Sequence, residues 1–256
     1  PLQNELAYAS GDYSIDWEDL QAKLADPQTT LFILCNPHNP VGRTFSRDDL
    51  ARIGELCEKH GVTVLSDEVH CDLTEPGVRY TPFAAASKSC ERISASIIAP
   101  TKAFNIAGLQ SAAVFAADKR LRHKISKALN SDDIAEPNFF GVQGAIAAFT
   151  KGAAWLDALR EYLSENRKFA TEFIARELPQ VRVVPQDATY LMWLDAGAYT
   201  HDSAELARFI REKTGLYLSC GAQYGKGGEK FLRLNIATSR ALLKDGLGRL
   251  KDALKI

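Results

Sequence analysis

The sequence has almost no excess charge of either sign: 31 Lys and Arg against 32 Asp and Glu leave a formal net charge of −1. Nucleic acids and anionic membrane surfaces are bound through a basic excess, so neither is expected as a partner. No apolar run is long enough to cross a bilayer. The opening stretch PLQNELAYASGDY has no signal-peptide pattern. The five cysteines, Cys35, Cys57, Cys71, Cys90 and Cys220, are odd in number, scattered and without a CxxC pair. That argues against a disulfide framework and for a cytoplasmic protein with reduced thiols. No repeat or low-complexity tract is present, and no metal site is expected. What remains is ordinary globular composition, 46% hydrophobic and 25% charged over 256 residues, enough for one large domain or two smaller ones.

The periodicity predicts an α/β protein. LFILC at 31–35 reads as a short buried strand and runs into NPHNPVG, which is dense in turn formers. Ser46 and Asp49 form a predicted capping box for a helix through Leu50, Ile53, Leu56 and Cys57, ended by Gly61. VTVLSDE, ISASIIA and SAAVFAA follow as strands. Nearly continuous apolar strands alternating with helices predict a mainly parallel sheet flanked by helices on both faces. A long amphipathic helix is expected from about Trp155 to Leu178, stopped by Pro179. Beyond it, VRVVP, TYLMWLDA, LYLSCG and FLRLNIAT read as strands, with SAELARFIREKTG and SRALLKDGLGRLKDAL as helices. The expected organisation is a large domain over 1–160 and a smaller C-terminal α+β domain over 161–256.

In such sheets ligands collect beyond the carboxyl ends of the strands. Asn36 to Gly42, Asp67 to His70 and Thr101 to Lys102 all fall at such ends. Lys102 is a surface lysine in a turn or, held in a confined site, an amine that forms a Schiff base with an aldehyde. Pyridoxal phosphate (PLP) is the cofactor that uses such a lysine, with an acid on its pyridinium nitrogen. Asp67 is the candidate acid, or else merely ends a strand. Its neighbour Glu68 should point to the opposite face. Asn39 is a turn residue or a donor to the phenolic oxygen of PLP. His70 is structural or touches the ring or its oxygen. In FLRLNIAT, strand alternation puts Phe231, Arg233 and Asn235 on one face. Arg233 there needs an anion, either an internal carboxylate or the α-carboxylate of a substrate.

Taken together, CNPHNPVGR, LSDEVHCDL, APTKAFNIAGLQ and FLRLNIAT resemble fold-type I PLP enzymes of the aminotransferase class I/II superfamily, and in combination its cystathionine β-lyase branch. The resemblance covers the chain from about Tyr13 onward. It implies that Lys102 carries the cofactor and is the catalytic base, with Asp67 on the ring nitrogen. It further implies Asn39 on the phenolic oxygen, Thr101 on the phosphate and Arg233 on the substrate carboxylate. His70 stands where aminotransferases usually have a tyrosine, which favours a lyase acting on cystathionine or cysteine S-conjugates. An aminotransferase on the same scaffold is the alternative. Two departures stand out: Ala99 replaces a phosphate-binding serine, and the family's N-terminal phosphate loop, stacking aromatic ring and first strand have no counterpart here. A catalytically inert fragment with an exposed apolar surface is therefore a third reading. The resemblance also implies a homodimer.

Overall fold

The computed structural model describes residues 2–255. A hairpin, β1 (Leu6–Ala9) and β2 (Asp12–Ile15), leads into α1 (Trp17–Leu24). The first sheet is built from β3 (Leu31–Cys35), β4 (Thr63–Asp67), β5 (Ser94–Ile98) and β6 (Ala113–Ala116), in that order, with α2 (Arg47–Lys59), α3 (Phe83–Ala86) and α4 (Lys88–Ile93) between strands. β3, β4 and β5 are parallel and β6 closes the sheet antiparallel. Next come α5 (Lys119–Ser131), α6 (Phe139–Lys151) and the long α7 (Ala153–Glu177). The second sheet, order β7 (Arg182–Val183), β8 (Leu191–Asp195), β10 (Phe231–Asn235) and β9 (Ser219–Cys220), is antiparallel throughout. α8 (Ser203–Thr214) and α9 (Arg240–Leu254) cover it.

Local chemistry explains these boundaries. The capping box of α2 is present: Ser46 Oγ accepts from the Asp49 amide, and Asp49 Oδ2 accepts from the Ser46 amide. Gly61, at φ +68°, carries the left-handed turn that follows the helix. α7 starts two residues before the expected Trp155 and ends before Pro179, which cannot continue a helix. In α9 the buried Leu243, Leu247, Leu250 and Leu254 recur at helical spacing and meet Leu232 and Leu234 of β10 in one core. VRVVP and LYLSCG pair over only two residues each. Both are edge strands, where only one side offers a partner.

Helices α1, α2, α3 and α4 bury one face of the first sheet, through Leu34, Val64 and their neighbours. The predicted cover of the other face holds at Ala95 of β5, 2% exposed, and lapses at the β3 edge, where Leu31 and Ile33 are 51% and 60% exposed. An unbroken apolar run reports what a strand tolerates on each face, not which partners are present. No helix among the described residues is long and apolar enough to cross a membrane.

The two sheets are tied through loops. Leu73 O accepts from the Thr189 amide at 2.7 Å, and Asp187 O accepts from the Glu75 amide at 2.7 Å. From α7, Arg167 spans this seam, with Nε on Glu75 Oε1 at 2.6 Å, Nη1 on Gln186 Oε1 at 2.6 Å and Nη2 on Thr189 O at 2.5 Å. Gly42 is the residue this seam favours. Its φ is +77°, and a Cβ would stand 2.5 Å from Gln186 Nε2 and 3.0 Å from Ala188 O.

Candidate active site

The carboxyl ends of β3, β4 and β5 place the first groups. The parallel register aligns Cys35 with Asp67 and Asp67 with Ile97, so Asp67 ends its strand level with its neighbours. Its Oδ1 accepts from the Val69 amide at 3.2 Å, which orients the carboxylate as the chain turns. Glu68 points to the opposite face as pleating requires. It is buried and accepts from Tyr80 OH at 2.7 Å, Ser96 Oγ at 2.9 Å and the Phe83 amide at 3.2 Å. The Tyr80 oxygen also lies 2.9 Å from Asn36 O, so its single proton is shared between Glu68 and Asn36 and ties the end of β3 to the end of β4. Buried beside Glu68, the Tyr80 phenol is held far above its ordinary pKa. It stays a donor at any physiological pH.

The loop after β3 is fixed from both ends. Asn36 is fully buried; its Oδ1 accepts from the Phe45 amide at 3.2 Å and its Nδ2 donates to Thr81 O at 3.2 Å. The His38 amide donates to Arg43 O, and the Gly42 amide returns to His38 O. This holds Asn39 facing the second sheet, where its Oδ1 accepts from Arg233 Nη1 at 3.1 Å. The side-chain Nδ2 of Asn39 makes no hydrogen bond among the described residues and is free to donate.

Arg233 stands on β10 opposite Trp193 of β8, on the face away from the Leu232 and Leu234 core. Its other nitrogen, Nη2, lies 3.4 Å from Ser219 Oγ, and its guanidinium carbon lies 4.7 Å from the centre of the Tyr224 ring. No carboxylate lies within ion-pair distance among the described residues. An internal salt bridge, the alternative for this residue, is therefore absent. A half-buried arginine with only neutral partners is an anion site in waiting.

His70 joins the clusters. It is 6% exposed, its Nδ1 is buried without a partner, and its ring meets Tyr190 edge-on at 5.9 Å. Its pKa is lowered to about 4, first by burial and then by the Lys102 charge; Asp67 opposes the shift and Arg233 adds to it. Lys102, Asp67 and Arg233 thus all lie close enough to act on one imidazole, which stays neutral at physiological pH. Lys102 sits in the turn after β5, half-buried, beside Ala103, which packs on Leu73 and Leu163. Neither Lys102 Nζ nor the Thr101 hydroxyl makes a hydrogen bond among the described residues. Thr101 contributes its carbonyl to the turn, accepting from the Ile106 amide at 3.1 Å.

An amine, a carboxylate, an amide donor and a guanidinium without an acid partner, set at neighbouring strand ends and on β10, are groups that could hold a planar ring bearing an aldehyde, a basic nitrogen and a phenolic oxygen. Tyr190, Ser219 and Tyr224 belong to the same surroundings and escaped the sequence reading. The glycines around Tyr224, in GAQYGKGG, were the available signal of a backbone in close approach. A cavity of about 740 Å³ runs along β3 and the hairpin and reaches Trp193 and Tyr224; none of Lys102, Asp67, His70 or Arg233 lines it.

Comparisons with known proteins bear on the family. Cystathionine beta-lyase PatB of Bacillus subtilis is 49% identical over 99% of this chain, and Protein MalY of Escherichia coli is 32% identical over 94%. This chain spans 65% and 61% of their lengths. Among solved structures, cystalysin from Treponema denticola, described as containing a pyridoxal 5′-phosphate cofactor, matches 99% of this chain and 64% of its own with a TM-score of 0.95 at 28% identity. The PLP-bound C-S lyase of Staphylococcus hominis matches 98% and 64% with a TM-score of 0.90 at 32% identity. The description "Aminotransferase class I and II" fits residues 4–250, and the chain belongs to that family.

Proposed function

We propose that this chain carries the ring-binding and substrate-binding groups of a PLP-dependent carbon–sulfur β-lyase, acting on cystathionine or cysteine S-conjugates. The observation that carries the reading is the 3.1 Å bond between Arg233 of the second sheet and Asn39 of the first. It puts an uncommitted cation beside the loop that would hold the ring. The names of the relatives and solved neighbours above point the same way.

PLP, when bound, supplies an aldehyde that captures an amine and a ring that accepts electron density from Cα. Lys102 is the amine that would hold the aldehyde, and its Nζ, when free, would be the base placed to take the proton from the substrate Cα. Asp67 would accept a hydrogen bond from the ring nitrogen and favour its protonated form. Asn39 has two tasks: its Oδ1 holds Arg233, and its Nδ2 would donate to the phenolic oxygen. The Thr101 hydroxyl would donate to the phosphate. Arg233 binds the substrate carboxylate through its paired nitrogens. Neutral His70 leaves the crevice without an extra charge. Breaking the Cβ–S bond releases a thiolate, and hydrolysis of the remaining three-carbon fragment yields pyruvate and ammonia.

The same reading divides the chain near residue 160, within α7. Leu163 of that helix packs with Leu73 and Ala103, whereas Ala170 and Ile174 enter the second-sheet core. It includes a homodimer, supported by the exposed Phe139, Phe140, Ile146 and Phe149 of α6, and a cytoplasmic setting, supported by five free cysteines.

The test is pyruvate release from cystathionine with PLP present, in this chain and in one extended at its N-terminus to the length of the relatives. Expected is pyruvate, with a visible absorption band that Lys102→Ala abolishes. Keto-acid-dependent amino transfer without pyruvate would replace the lyase by an aminotransferase. No band in either chain would leave the inert reading.

A further inference from the structure

We propose that Tyr224 is the positioning residue of the Arg233 anion site: its ring is the platform that sets the plane and the free edge of the guanidinium. The inference rests on the reading of Arg233 as the carboxylate-binding group.

Three contacts hold Arg233, and their division of labour is the argument. Nη1 meets Asn39 Oδ1 at 3.1 Å and Nη2 meets Ser219 Oγ at 3.4 Å, both roughly in the guanidinium plane where hydrogen bonds form. Neither fixes the tilt of that plane about the line joining them. The Tyr224 ring, 4.7 Å from the guanidinium carbon, supplies the missing constraint. A π face attracts the cation without neutralising it. A carboxylate in the same place would compete with an incoming anion.

The platform is itself built to stay still. Tyr224 ends the short turn Gly221–Tyr224, and a second turn, Lys226–Gly228, folds against it. Gly221 and Gly228 approach so closely that a Cβ on either would overlap the other's carbonyl group, and Gly225 has φ +123°. Beneath, Tyr224 meets Trp193 edge-on with centroids 5.7 Å apart at 78°. Trp193 stacks on Phe231 at 5.0 Å and 7°, and its Nε1 donates to Tyr13 OH at 3.0 Å. Trp193 is also the cross-strand neighbour of Arg233. Tilting the Tyr224 ring therefore disturbs the aromatic cluster under β8 and β10. The Tyr224 hydroxyl makes no hydrogen bond among the described residues, so the ring and not the oxygen carries the role.

The experiment is nitrogen-15 NMR of the arginine Nε–H groups of this chain, without and with 3-(methylthio)propionate, a carboxylate lacking the amine. The control compound is 3-(methylthio)propanol. Expected in wild type is a ring-current-shifted Arg233 Nε–H resonance, assigned by its loss in Arg233→Lys, that moves saturably with the carboxylate and not with the alcohol. Tyr224→Leu should abolish the ring-current shift and weaken carboxylate binding about five- to tenfold, the range a cation–π contact supports. Tyr224→Phe should keep both within twofold. An unshifted wild-type resonance, or equal carboxylate binding in Tyr224→Leu, overturns the platform. A shifted resonance that ignores the carboxylate in wild type overturns instead the carboxylate reading of Arg233, and this inference with it.

Discussion

The sheets β3–β6 and β7–β10 each have four strands, yet they stand differently in the molecule. Around the second sheet, α7, α8 and α9 close a continuous core in which Met192, Leu194, Ile210, Leu232 and Ala253 are almost fully buried. The first sheet has a comparable core on one face only; its edges expose Leu31, Ile33 and Phe115, and α5 buries no residue at all. The amine, the acid and the amide of the candidate site come from the less covered sheet, and the arginine from the complete one. The contrast teaches that chemistry and stability are carried by different parts of this chain. The first sheet needs only its strand ends held in register, which the Asn36–Tyr80–Glu68 contacts provide. The second supplies the rigid wall against which Asn39 is set.

The contrast is open to direct tests. The largest effect is expected at the site: Lys102→Ala should lower any pyruvate release about a thousandfold or more, the scale of losing a positioned base, while urea unfolding stays close to wild type. A large stability loss would mean that the lysine is structural. Next, Leu247→Ala in the second-sheet core should cost about 2–5 kcal/mol in urea unfolding, against less than about 0.5 kcal/mol for Ile33→Ala on the exposed edge. Similar costs would erase the distinction between the sheets. Gly42→Ala, where the loops of both sheets touch, should cost about 1–3 kcal/mol through strain at positive φ and the contact with Gln186. It should also weaken PLP binding, because Asn39 lies three residues away.

The smallest effect concerns pH. The folded pKa of His70 lies at about 4, below the ordinary 6.5, because burial and the Lys102 charge disfavour its cation. The unfolded chain therefore binds the proton first, and stability is lost as pH falls from about 6.5 toward 4. His70→Phe should flatten part of the melting-temperature decline over that window. His38, also lowered to about 4 by burial, keeps the remainder. An unchanged slope in His70→Phe would mean that the histidine is solvated and not part of a closed crevice.

Much of this could be read along the chain because the signals are local. The capping box at Ser46 and Asp49, the stop before Pro179, and the apolar spacing of α2 and α9 depend on neighbours a few residues away. Asp67 and Glu68 could be assigned to opposite faces from pleating alone. Tyr190 and Ser219 could not be found this way, and the glycines around Tyr224 signalled only a close approach, because each residue matters through others distant in the chain: His70 for Tyr190, and Arg233 for the other two. An exposed apolar surface could be expected from the missing counterpart of the family's first strand, but its place at Leu31 and Ile33 could not, since hydrophobicity states what a surface prefers and not what is there to meet it.

The order of residues by itself determined the elements, the strand ends that present Asn39, Asp67 and Lys102, and the alternation that turns Arg233 away from its leucine neighbours. Tertiary structure alone decided that Arg233 would have no acid beside it among the described residues, that Asn39 would hold it, and that Tyr224 would lie against it. The reason is physical. Hydrogen bonds and side-chain periodicity within an element follow short-range geometry, whereas the charge balance of a crevice depends on which surfaces meet when two sheets pack.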